Sequence, residues 1–110
     1  MANTFKNALS AGIGTSAVDV YTAGSGVTAT IIGCTVANTS NSQITASVKI
    51  TDTSGSTTSH IVKDAPIPSG RSLVAIGGDH KIVLETTDKI TVTSSASSSI
   101  DAIVSVLEIT

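Results

Sequence analysis

From Ile44 to Thr51 every second residue, Ile44, Ala46, Val48 and Ile50, is apolar, and the residues between them are Thr45, Ser47, Lys49 and Thr51. A strand points successive side chains to opposite faces, so this two-residue period describes a half-buried β-strand. No segment carries a 3.6-residue apolar period with caps, so helices are not expected. Turn signals recur instead about every 8–12 residues, the spacing of an all-β sandwich or barrel. They are Gly12-Ile13-Gly14, Ala23 to Gly26, Asn38 to Ser42, Asp52 to Ser56, Pro66 to Gly70, Gly77-Gly78-Asp79 and Ser94 to Ser99.

Between these signals the apolar residues outline further strands. Val18 and Val20 flank Asp19. Val27, Ala29 and Ile31 share one phase while Ile32, Cys34 and Val36 share the other, which describes either a β-bulge near Gly33 or a strand buried on both faces. His60 to Lys63, Leu73 to Ile76 and Ile82 to Leu84 are shorter candidates. Leu84 to Val92 reads as a hairpin with a polar turn. Ile100 to Ile109 is apolar on both phases, Ile100, Ala102, Val104 and Val106 on one and Ile103, Leu107 and Ile109 on the other. It is expected at the centre of a sheet, or with one face against another subunit. The expected fold is all-β: a single-domain antiparallel sandwich over residues 1–110, jelly-roll or immunoglobulin-like, with eight or nine short strands.

Composition narrows the function. Serine and threonine make up roughly a third of the chain, only 13% of residues are charged, and the aromatic residues are Phe5 and Tyr21 alone. With a net charge of −2 and no basic run, the chain lacks the means to displace counterions from a phosphate backbone, and it lacks aromatic platforms for bases. Its apolar runs fall far short of the roughly 20 residues of a spanning helix. Neither nucleic-acid nor membrane binding is expected. The start Met1-Ala2-Asn3-Thr4-Phe5-Lys6-Asn7 does not read as a secretory signal, and the one cysteine has no internal partner, so synthesis in a cytoplasm is expected. A core this small, built from aliphatic residues without a disulfide, points to support from oligomerisation.

The residues with chemical potential are few. His60 and His80 lack a second ligand at metal-binding spacing and read as surface or interface histidines. Cys34 lies among apolar neighbours and reads as a buried thiol. Gly24-Ser25-Gly26 is not a nucleophile elbow, and Gly77-Gly78-Asp79 precedes a strand, so it reads as a tight turn and not a phosphate cradle. The aspartates have no calcium-loop spacing. Asn38-Thr39-Ser40 matches a glycosylation acceptor, and Ser94 to Ser99 reads as a flexible connector. Arg71, the only arginine, opens an apolar strand, where it reads either as an ordinary solvated strand end or as an interface residue whose planar guanidinium pairs with carboxylates. No catalytic, cofactor or metal site is expected, and the chain reads as a structural or assembly protein.

The strings Val62-Lys63-Asp64-Ala65-Pro66-Ile67-Pro68-Ser69-Gly70-Arg71-Ser72-Leu73-Val74, Gly77-Gly78-Asp79, Lys81 to Thr86 and Asp88 to Ser95 resemble small virion structural proteins of tailed phages infecting marine cyanobacteria. The opening Met1 to Asn7 and the ending Ser105 to Thr110 are similar to that family too. The resemblance implies a multi-copy, non-enzymatic particle component without cofactors, made in the host cytoplasm and residing in the virion. The expectation built on it is a head decoration or cement protein, a homo-oligomer and most simply a trimer, bound to the major capsid protein or other virion proteins. A neck, tail or fibre-adaptor subunit is the alternative, and a carbohydrate-binding adhesin a more distant one. The expected interface runs from Thr4 to Leu9 and along one face of the last strand, with Phe5, Lys6, Leu9, Arg71, Leu107 and Ile109 as its candidate residues.

Overall fold

Alternation becomes architecture in the computed structural model, which describes residues 2–110. The strands are β1 (Asn3–Ile13), β2 (Val18–Thr22), β3 (Thr28–Asn38), β4 (Ile44–Asp52), β5 (Thr57–Ile67), β6 (Ser72–Ile76), β7 (Ile82–Leu84), β8 (Lys89–Ser94) and β9 (Ile100–Ile109). Every pairing between them is antiparallel. One sheet runs β1-β9-β3-β6, with β7 also pairing β3, and the other runs β2-β8-β4-β5. Strands β6 and β7 share one position, since β6 pairs Cys34 to Ala37 of β3 and β7 pairs Ala29 to Ile31.

The chain crosses from one sheet to the other at almost every connection. Only β4 and β5 are both consecutive and hydrogen-bonded to each other. This winding is the jelly roll, and it separates the fold from the immunoglobulin-like alternative.

The core lies between the sheets and is almost wholly aliphatic. Ile31, Val36, Val48, Leu84, Ile90, Val104 and their neighbours are shut off from solvent. Each such side chain stabilises the fold by about 1.5–3 kcal/mol through removal from water. Residues Ile44, Ala46 and Val48 of β4 point inward, as their alternation requires. In β9 the phase Ile100, Ala102, Val104 and Val106 is buried, and the strand lies between β1 and β3 at the centre of its sheet. The phase change in β3 is a bulge: the register with β9 slips between Ile31 and Gly33, so the inward set shifts from Ala29 and Ile31 to Cys34 and Val36.

Four expectations from sequence need correcting. First, the N-terminal segment is a full strand, and the Gly12 region is a bulge within it, where Gly12 takes φ +68 and its N–H donates to Asp101 Oδ1 at 3.0 Å. The polar residues Thr4, Lys6 and Ser10 on the phase of its buried end hid the alternation. Second, Leu84 to Val92 is no hairpin, because β7 and β8 belong to different sheets and the Glu85–Asp88 turn carries the chain across the edge of the core. Third, Pro66 and Ile67 end β5, and Pro68 begins the turn. Proline is tolerated there because β5 is an edge strand.

Fourth, the serine-rich loop is pinned. Ser94 and Ser99 are buried, their hydroxyls bond each other, Ser99 Oγ donates to Ala96 O at 2.7 Å, and Ala96 N donates to Ser94 Oγ at 3.2 Å.

Candidate docking surface

The register of the five-stranded sheet arranges its outward side chains in rows across the strands. Leu9 of β1 faces Ile103 of β9, Ile103 faces Thr35 of β3, and Thr35 faces Val74 of β6. A second row runs from Phe5 to Leu107, then Thr30, then Val83 of β7. Directly paired residues share a face, so both rows lie on the side away from the core.

These rows contain all five large hydrophobic residues that the described chain leaves exposed: Phe5 at 75%, Leu9 at 67%, Val74 at 62%, Val83 at 60% and Ile103 at 50%. Scattered apolar residues are ordinary on a protein surface, whereas a contiguous set on one sheet face marks a binding surface. Two shallow depressions indent it. One, of about 350 Å³, involves Phe5, Asn7, Ile32 and Ser105. The other, of about 310 Å³, involves Leu9, Ala11, Asp101 and Ile103.

The outer face of the four-stranded sheet has the opposite character. Its register sets Asp19 beside Thr91 and Thr91 beside Lys49. Thr91 Oγ1 donates to Asp19 Oδ1 at 2.9 Å, and Lys89 pairs with Asp19 at 3.2 Å. The Thr91 hydroxyl, foremost, and the Lys89 ammonium hold the Asp19 carboxyl below its ordinary pKa. One face is therefore apolar and without a partner among the described residues, and the other is polar, with Asp19 held by Thr91 and Lys89.

Of the residues expected at an interface, Phe5, Leu9, Leu107 and Ile109 fall together on the apolar face. Lys6 lies on the opposite phase of β1, 3.2 Å from Glu108 Oε1. Glu108 also accepts a hydrogen bond from the Tyr21 hydroxyl at 2.5 Å. The Tyr21 hydroxyl, then Lys6, holds the Glu108 carboxyl below its ordinary range, while burial and Glu108 push the tyrosine well above its own. This trio ties β1, β2 and β9 together. Arg71 stands exposed in the turn before β6, its N–H bonded to Pro68 O at 3.1 Å. Val74, Val83 and Ile103 were not singled out from sequence. Ile103 shares a phase with Leu107 and Ile109, which was the available signal.

The remaining chemical candidates are accounted for by packing and turns. Cys34 is buried, and that burial pushes its thiol up to about 11. Asn38 is buried and its amide is fully engaged: Nδ2 donates to Ser42 O and Ile67 O at 2.8 Å each, and Oδ1 accepts from Ser40 N at 2.9 Å and Ser40 Oγ at 2.7 Å. The glycosylation match is thus a structural amide. His60 and His80, far apart in sequence, border one depression with Ile50, Ile61 and Ile82.

Asp52, Glu85 and Asp88 bring carboxylate oxygens within 4.8 Å of one another. Asp88 is already a turn clamp, accepting from Thr53 N at 3.1 Å and Glu85 N at 3.0 Å. Asp52 accepts from Gly55 N at 3.1 Å and Ser54 Oγ at 2.9 Å, which lowers its pKa, the Gly55 amide contributing most. Among the described residues no helix is long and apolar enough to cross a membrane.

No protein-family model matches the chain, and no curated protein is similar to it in sequence. Solved structures do share its fold. A chain from the Bacillus endospore appendages, described as disulfide-linked pili, superposes with a TM-score of 0.56 at 13% identity, covering 98% of this chain and 88% of its own. A chain of the capsid of Helicobacter pylori bacteriophage KHP30 gives 0.55 at 9% identity, covering 98% and 87%. A chain from an archaeal virus with a triple jelly roll fold and turret assembly gives 0.57 at 15% identity, covering 97% of this chain and 28% of its own. At these identities the likeness is one of fold, a jelly-roll sandwich.

Proposed function

We propose that the protein is a non-enzymatic structural component of a phage virion, a capsid decoration or cement protein that lays the apolar face of its five-stranded sheet on the outer surface of the major capsid protein lattice and stabilises the head. The observation that carries this reading is the concentration of Phe5, Leu9, Val74, Val83 and Ile103 on one sheet face. The capsid, turret and pilus contexts of proteins with the same fold support it.

Magnitudes favour attachment in many copies. Desolvating five partly exposed apolar side chains contributes on the order of 10 kcal/mol gross. Association itself costs about 4–15 kcal/mol in lost freedom. A single copy is therefore held modestly, and linked copies bind tightly because the second contact is intramolecular. This arithmetic suits a homo-oligomer on a repeating lattice.

Quantitative mass spectrometry of purified particles, scored as copies per major capsid protein, tests the reading. A ratio near one is the expected result for a shell-wide decoration protein. A ratio of a few per cent would replace it with a neck, tail or fibre-adaptor role, and absence from particles would overturn a virion role altogether.

A further inference from the structure

A sheet ends in unpaired backbone groups, and proteins usually blunt such edges with short strands, bulges, prolines or charges. Three of the four strand edges here are blunted in those ways. Strand β2 has five residues and a register break between Asp19 and Tyr21. Strand β5 is interrupted by register shifts, by Asp64 at φ 51, and by Lys63 and Pro66. Strands β6 and β7 have five and three residues, separated by Gly77 and Gly78.

Strand β1 differs. From Asn3 to Ser10 it pairs with β9 in unbroken register, it has no proline, and its one charge, Lys6, is held by Glu108.

The direction of its free hydrogen-bonding groups follows from the register. Ala2 and Thr110 exchange both backbone hydrogen bonds, at 3.2 and 3.0 Å. In an antiparallel ladder such pairs alternate with non-bonded ones. Thr4, Lys6, Ala8 and Ser10 therefore bond to β9, and Asn3, Phe5, Asn7 and Leu9 direct their N–H and C=O away from the sheet. The residues with free backbone groups are the same ones whose side chains lie on the apolar face.

We infer that this edge is a self-association surface and that its occupant is β1 of a second copy, paired antiparallel across a two-fold axis at Asn7. In that register Phe5 faces Leu9 of the second copy, Leu9 faces its Phe5, and Asn7 faces its Asn7. Apolar side chains meet apolar ones, and the two amides can bond each other. Phe5, Asn7 and Leu9 each exchange both backbone groups with the opposite strand.

The neighbouring registers are poorer. An axis at Lys6 sets two ammonium groups face to face, which destabilises a strand pair. An axis at Ala8 opposes Asn7 with Leu9, and an axis at Phe5 leaves Leu9 beyond the paired segment. Pairing at Asn7 also joins the two apolar faces side by side across the seam, and the contact does not depend on where the protein sits in a particle.

The test is the mass of the purified chain in solution by light scattering and native mass spectrometry, for the wild type and two variants. Asn7→Pro removes only an outward N–H, so it blocks edge pairing and leaves the β1–β9 ladder intact. Asn7→Cys places two thiols opposite each other with Cα atoms about 5.5 Å apart, within disulfide reach.

The wild type is expected at twice the chain mass. Asn7→Pro is expected at the chain mass with an unchanged far-ultraviolet circular dichroism spectrum. Asn7→Cys is expected as a covalent dimer on oxidation, whereas Phe5→Cys is not. A wild-type monomer or trimer at the highest soluble concentration would overturn the inference, as would a dimer that survives Asn7→Pro or that cross-links equally well through Phe5→Cys.

Discussion

Asn38 shows how much structure one side chain can organise in this fold. Its amide bonds Ser42 O, Ile67 O and the N–H and hydroxyl of Ser40, tying the end of β3 to the turns on either side. Asn38→Ala strands two carbonyls and removes the acceptor for Ser40, so it should cost about 3 kcal/mol, measurable by denaturant unfolding. Cys34 should be unreactive toward a thiol reagent until the protein unfolds, because burial both shields it and keeps the thiol protonated. Tyr21 offers a spectroscopic probe, being the only tyrosine in a chain without tryptophan. Its folded pKa lies above the ordinary value, so its contribution to stability is present below pH 10 and is lost at more alkaline pH. In an alkaline titration followed by tyrosinate absorbance, the folded protein should ionise well after the urea-unfolded chain.

At the scale of the element, legibility in the sequence depended on which face carried the pattern. β4 was readable because Ile44, Ala46 and Val48 alternate with polar residues, and β9 because its two apolar phases mark a central strand. β1 was not, because its apolar side chains Phe5 and Leu9 face outward and most of those on the other phase are polar. The crossing from β7 to β8 was also invisible, since a polar turn looks the same whether its strands share a sheet or face each other across a core. The docking face was half legible. Phe5, Leu9, Leu107 and Ile109 could be named, but its far side, Val74 and Val83, follows from register alone.

Three carboxylates, in a turn and between strands, set how the elements respond to acid. Asp19, Asp52 and Glu108 all have lowered pKa values in the fold, so each stabilises it above the ordinary carboxylate range and ceases to do so as pH falls through the lowered value. Thermal midpoints should thus decline below about pH 4. Glu108→Gln, which weakens the tie to Lys6 and Tyr21, should lower the midpoint at neutral pH and flatten the acid decline. An unchanged profile in that variant would mean that the Lys6–Glu108–Tyr21 contact does not hold β1 in place.

For the molecule as a whole, the contrast between its two outer faces is the central fact. A jelly roll can bury both sheets against each other and still present one polar face and one apolar face. Here the polar face pairs Asp19 with Lys89, and the apolar one has no partner among the described residues. Under the proposed function, the outer face of the five-stranded sheet is the surface that would fix the protein to a particle.

The most direct measurement is the incorporation of face variants into virions, read as copies per particle by quantitative mass spectrometry, with folding of each variant checked by its thermal midpoint. Ile103→Lys, at the middle of the apolar face, should fold and yet be depleted from particles at least tenfold. Lys49→Ser, on the opposite face, should be incorporated as the wild type is. Equal incorporation of a folded Ile103→Lys would contradict the account, because the face would then play no part in attachment.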